Sequence, residues 1–377
     1  MFKAEENHDF STLVNSLRFE RPLNEASMLI SKHIMKVQNM LEEFIAGEVF
    51  LEERDRKALA NLPEESFFRL LTSPYICELL MVLKERHDKS AVELRPLRVQ
   101  LIQALVAEIK RLRPQYVHAL NPPWTVGGDV VLDSALAAKF PALHTKCGIS
   151  LNYQSYVHNT GKDGIGGYDY KTALCHRERI ETAKSLIAQV SSSSLSMIEM
   201  FTTAIQFRQN KNRPNVVNSS THTSIGLIRC DNFHQLHVDM PEVVDMLVHE
   251  SIHQYLHLFE EQQFAFVDAA AIPQELLDSR EFPSPWSGNL LDLRSYTHAI
   301  LVWYGLIHFW RQFIDSAYEH PEVSATQARE KLNEALFGFV NSASVFDSLG
   351  EARKFLNPQY RLQVEKIQKE LQMKEAI

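Results

Sequence analysis

A chain of 377 residues, 45% hydrophobic and 23% charged, can bury a core without disulfide or metal staples and has the composition of a globular protein. Its net charge of −8 with no basic tract points away from nucleic acid as a partner, and no apolar run reaches the roughly 18 residues of a membrane span. The start, MFKAEENHDF, is too polar and acidic for a signal peptide, so a cytoplasmic location is expected, with the scattered Cys77, Cys147, Cys175 and Cys230 as reduced thiols.

Taken in order, Asn24 to Phe50 carries Leu29, Ile30, Ile34, Val37, Met40, Leu41, Phe44 and Ile45 at helical spacing. Further helices are predicted over Pro63–Thr72, from Ser73-Pro74 to about Glu85, and over Leu97–Leu112, opened by Arg95-Pro96. Residues 1–120 thus read as an N-terminal helical module, and 121–377 as a second domain that begins with an irregular insertion at 121–170. Pro122-Pro123, Gly127-Gly128 and the glycines at 161, 164, 166 and 167 mark turns there. GKDGIGGYDY lacks the Gly-Lys-Ser/Thr ending of a phosphate loop and reads as a loop able to serve as a lid.

Helices return over Thr172–Val190 and Ser194–Arg208, and Ser224–Cys230 has strand length. That strand is expected either in a core or as one wall of a groove to which a peptide adds. Helices are then predicted over residues 240–262, Leu290–Phe313, Ser324–Val345 and Glu351–Met373. The expected fold class is mainly α, a multi-helix bundle with a small β element ahead of the helix at 240–262. No fixed-period repeat is visible.

That helix carries the chemistry. Asp239, Pro241 and Glu242 supply a cap, a first-turn proline and a first-turn acid, while Val244, Leu247, Val248, Ile252, Tyr255, Leu256 and Phe259 mark a buried face. His249-Glu250-Ser251-Ile252-His253 therefore sets two imidazoles one turn apart on another side, where they can share a cation. Glu250 between them is placed to act as base, proton shuttle or support to a ligand. His257 continues the series but lies roughly 12 Å along the axis from His249, too far for all three to hold one ion, and reads as outer support or surface. Cys175-His176 reads as structural, because adjacent helical residues point in different directions.

Two histidines leave the metal incomplete, and the third ligand decides the reaction. A zinc peptidase would use Glu275, 22 residues after His253, with Asp278 behind it and Glu250 activating water. His298, in the helix over Leu290–Phe313, is the alternative, with Asp292 as a nearby carboxylate candidate. Tyr296, Trp303 and Tyr304 read as packing residues.

HESIH, a proline-rich gap, SPW at 284–286, His298 twelve residues past Trp286, and AILVWYGLIHFW together resemble the HExxH-type 2-oxoglutarate-dependent peptide β-hydroxylases. That family occurs with ribosomally made, modified peptides of natural-product biosynthesis, and the resemblance covers His249 to Trp310. It implies iron(II) and 2-oxoglutarate as cofactors, a precursor peptide as partner, and insertion of oxygen at a β-carbon. His249, His253 and His298 would then hold iron, and Glu250 would organise the site. Where the family shows an Arg-Pro step after the Trp, this chain has SGNLLDLRSYTH; Arg294, one turn before His298, would bind a 2-oxoglutarate carboxylate. Three histidines depart from the usual two-His-one-carboxylate set. The competing readings are the zinc peptidase and a non-catalytic peptide-binding protein.

Overall fold

The computed structural model describes residues 10–47, 51–112, 141–144, 150–153, 165–166, 170–210, 217–220, 224–235, 238–268, 270–273, 275–276, 279–316 and 320–375. The expected boundary near 120, most of the insertion, Cys147 and the glycines at 161, 164 and 167 lie outside the described residues. The fold is mainly helical, as its periodicity predicts, with one six-stranded and one two-stranded sheet among the described residues. Among the described residues no helix is long and apolar enough to cross a membrane. Two compact units form, each from separated stretches of chain: Met1–Leu29 with Ser185–Ile198 and Asp239–Ile377, and Ile30–Lys184 with Glu199–Val238.

The described chain enters through a short helix, α1 (Phe10–Ser16), with Phe10, Leu13 and Val14 buried. It continues as α2 (Asn24–Gly47), α3 (Glu53–Ala60), α4 (Glu64–Leu71), α5 (Pro74–Glu85) and α6 (Ala91–Leu112). Val37, Met40 and Leu41 of α2 share a core with Leu59, Leu70, Ile76, Leu80, Leu101 and Leu105, so these helices bury one another's apolar stripes. Helix α6 begins earlier than the Arg95-Pro96 step suggests. Ser90 and Glu93 exchange the reciprocal bonds of a capping box, at 3.3 Å and 3.0 Å, which leaves Pro96 inside the helix.

The β element is larger than one strand. β1 (Pro141–His144), β2 (Ser150–Tyr153) and β3 (Ile165–Gly166) come from the insertion and precede α7 (Tyr170–Val190) and α8 (Ser192–Phe201). The helix predicted over Ser194–Arg208 stops at Phe201, and Thr202–Asn210 continues as β4. This strand pairs in parallel with β2 on one side and with β6 (Gly226–Asp231) on the other, so Ile205 and Phe207 are wholly buried and Gln206 nearly so. Partners on both edges, β2 and β6, come from distant stretches of chain and hold Thr202–Asn210 extended although it runs straight on from α8, which explains the misreading. β5 (Val217–Ser219) pairs with Arg229–Asp231 on the other edge of β6, so the Ser224–Cys230 segment lies inside the sheet, between β4 and β5.

Within the other unit, Asp239 caps α9 (Met240–Gln262) as expected, accepting from Glu242 N–H. A two-stranded ribbon, β7 (Phe282–Pro283) with β8 (Leu290–Leu291), leads into α10 (Leu293–Asp315), followed by α11 (Ala325–Val340). Ser324 and Gln327 form a full capping box on α11. The final predicted helix is broken instead: a 3₁₀ stretch over Asp347–Phe355 holds Gly350 at φ +49°, and α12 starts only at Pro358, running to Glu375. Helix α10 packs on α9 and α11, α11 on α12, and α12 on α1.

Candidate metal centre

Two helices build the site. Helix α9 buries most of its surface, leaving His249, His253, His257 and Glu260 half-buried along one side. Helix α10 comes close because position 305 lacks a side chain: a Cβ there would lie 2.6 Å from Cδ1 of Ile252. From two turns before Gly305, His298 projects toward α9 with only 2% of its surface exposed.

The His298 ring is held from several sides. Its Nε2 donates to Glu260 Oε2 at 2.7 Å, and Glu260 also accepts from Phe266 N–H at 3.0 Å. In the neutral imidazole that bond leaves the lone pair on Nδ1, which stands 3.4 Å from Nδ1 of His253. The Phe266 ring lies 5.6 Å away and stacks on Tyr360 at 5.0 Å; Phe10 of α1 packs edge-on against both. Tyr360 in turn donates to the carbonyl of Thr297 at 2.9 Å, tying α12 to the residue beside His298. An aromatic block thus backs the imidazole and limits its rotation.

Burial, reinforced by neighbouring His249, His298 and His257, drives the pKa of His253 well below the usual histidine range. His249 is also lowered, chiefly by burial and further by the charge of Lys331, with Glu250 pulling the other way. Both imidazoles are therefore neutral near pH 7, the form that binds metal. For Glu260, burial pushes the carboxyl up, but the bonds from His298 and Phe266 and the charge of Arg294 outweigh it, so the net shift is downward and the group is ionised.

The expected residues distribute as follows. His253 and His298 meet, and the His249 ring stands 5.0 Å from that of His253, with Trp303 edge-on to it at 6.0 Å. Trp303 stacks on Trp286 at 5.8 Å, so the SPW tryptophan packs one ring away from the histidines. Glu250 is buried at 2% exposure, while Glu275 and Arg294 are exposed; Asp278 lies outside the described residues. Asp292 serves as the cap of α10, accepting from Ser295 N–H at 2.8 Å and from its hydroxyl at 2.7 Å. Tyr296 and Tyr304 are packing residues whose hydroxyls bond to Val345 O and to Arg18. His176 packs on Phe207 and Phe233 while Cys175 is exposed, so that adjacent pair points apart.

Two residues of the cluster were not singled out as ligands in the sequence. Among the described residues, the trio of His, Cys, Asp or Glu side chains whose ligand atoms all lie within 4.8 Å of one another is His257, Glu260 and His298. The His257 ring is 4.7 Å from His298, closer than that of His253 at 5.6 Å. His257 is thus neither surface nor remote support, because α10 meets α9 beside its second and third histidines. The signal was present in His257-x-x-Glu260, which extends the turn-by-turn series on the same face. Compared with known proteins, the chain matches no family model and no curated sequence.

Proposed function

We propose that this chain is an iron(II)- and 2-oxoglutarate-dependent oxygenase that hydroxylates a β-carbon in a ribosomally made precursor peptide in the cytoplasm. His249, His253 and His298 would hold the metal. The observation that carries this reading is the approach of His298, from a separate helix, to 3.4 Å from His253, nitrogen to nitrogen. Two nitrogens each about 2.0–2.1 Å from one tetrahedral ion stand roughly 3.3–3.4 Å apart, so the pair is spaced as two ligands of one cation. The proposed peptide chemistry rests on the resemblance of HESIH, SPW and His298 to the hydroxylase family.

Iron with 2-oxoglutarate would supply the oxidising power, and the chain's own residues would position and shield it. His253 is held neutral, Glu260 fixes which nitrogen of His298 is offered, and Phe266, Trp303 and Trp286 keep the surroundings apolar. Arg294 would receive a carboxylate of 2-oxoglutarate in a bidentate pair. Buried Glu250, beside His249 in the chain, would organise that ligand.

Reconstitution with iron(II) and 2-oxoglutarate under limited oxygen tests the reading. Succinate should form with the wild-type chain and fall to background in His298→Ala. Peptide cleavage that needs zinc and yields no succinate would replace it with a metallopeptidase using Glu250 as base. Neither activity would leave a peptide-binding protein.

A further inference from the structure

We propose that His257, Glu260 and His298 form a second divalent-cation site, at the nitrogen of His298 that faces away from His253. The site goes beyond the oxygenase reading and does not require it, since neither His249 nor His253 takes part. Its donors are two imidazoles and one carboxylate, a set suited to iron(II), manganese or zinc, and their ligand atoms lie within 4.8 Å of one another. His257 and Glu260 are three residues apart on α9 and so share a face, while His298 closes the trio from α10.

His298 is a two-sided ligand. Its Nδ1 is turned to His253 at 3.4 Å and its Nε2 to Glu260 at 2.7 Å. The Nε2–H proton occupies the line on which a cation would sit. Ligand atoms around a tetrahedral ion at about 2.1 Å are roughly 3.3–3.4 Å apart, so opening the 2.7 Å contact by about 0.6 Å admits the cation. With the other site empty, the displaced proton moves to Nδ1; with Nδ1 on a cation, it leaves to solvent and His298 bridges the two ions as an imidazolate. Burial is graded to suit this exchange: His298 is enclosed, whereas His257 and Glu260 are half-buried and within reach of a solvated ion.

The full chain, stripped of metal and titrated with cobalt(II) alone, provides the test, read by calorimetry and by the visible absorption of the bound ion. Wild type should take up one equivalent here, and two in all where the His249–His253–His298 set also binds. His257→Ala should lose the equivalent bound here or bind it at least about tenfold more weakly, and Glu260→Gln, which still accepts from Phe266 N–H, should behave alike. His249→Ala should retain this event. A His257→Ala titration indistinguishable from wild type overturns the site. If that variant fails to fold, as judged by circular dichroism, His257→Gln decides on the same readout. The two proposals separate cleanly: loss of the cobalt event in His257→Ala without succinate from wild type sinks the oxygenase and keeps this site. Succinate from wild type with an unchanged His257→Ala titration does the reverse.

Discussion

Gly338 should be intolerant of the smallest possible change. In an otherwise open helix, Gly→Ala gains up to about 1 kcal/mol from backbone entropy. Here an added Cβ would stand 2.4, 2.6 and 2.8 Å from Cε2, Cδ2 and Cζ2 of Trp286. Carbon atoms prefer about 3.5–4.0 Å, so the indole must retreat by roughly 1 Å. It is not free to do so: Nε1–H donates to Ala335 O at 2.8 Å, one face stacks on Trp303 and Phe339 meets it edge-on at 5.1 Å. Overpacking costs about 1–3 kcal/mol and a deprived donor at least about 1 more, which after the helix gain leaves Gly338→Ala destabilised by about 1–3 kcal/mol. Three of the four tryptophans, Trp286, Trp303 and Trp310, belong to this unit, so urea unfolding followed by tryptophan fluorescence reports chiefly on it. The midpoint should fall with an unchanged slope. In a Trp286→Ala background the same substitution should become neutral or stabilising. A midpoint at or above wild type, or an equal penalty in both backgrounds, would refute the reasoning.

Three further outcomes follow from the same geometry. Gly305→Ala places a methyl 2.6 Å from the tip of Ile252 and should cost about 1–3 kcal/mol, weaken cobalt binding by prising α10 from α9, and be partly rescued by Ile252→Val; unaltered metal affinity would show that the helix spacing is not what sets the site. His308 is lowered to about 3 by burial and by Arg18, Arg311 and Lys374, so it stays neutral in the folded chain but protonates near 6.5 once unfolded. Its contribution is therefore complete above about pH 6.5 and lost as pH falls toward 3; His308→Gln should flatten the stability profile in that window by one proton's worth of slope, and an unchanged profile would contradict the assignment. Glu250→Gln should keep iron binding within about tenfold and retain succinate formation, as measured by metal analysis and product assay, whereas a peptidase would lose all cleavage.

What could be read from the sequence was what is local. Asp239, Pro241 and Glu242 announce the start of α9 because capping needs only neighbouring atoms. The aromatic period announces α10, though Asp292 proved to be its cap rather than a ligand candidate. Harder to read were features set by a distant partner. Strand β4 passed for helix because the partners on its two edges lie far along the chain, and Trp286 stood out without any sign that Gly338 forms its seat. His257 was measured against His249, the wrong end of the helix, and Glu260 was not weighed as a ligand. Which turn of α9 faces His298 depends on how two helices dock, and no short window of residues encodes that.

The spacing of the imidazoles on α9 has a consequence for how this centre could change over time. Positions 249, 253 and 257 form a ladder with rungs about 6 Å apart, and His298 leans between the upper two. Sliding α10 by a single rung would hand the incoming ring a different pair of neighbours while every residue kept its identity. The contact between Gly305 and Ile252 is the notch that holds the ladder in place. Substitutions there, rather than at any ligand, offer the shortest route to a centre with another coordination set.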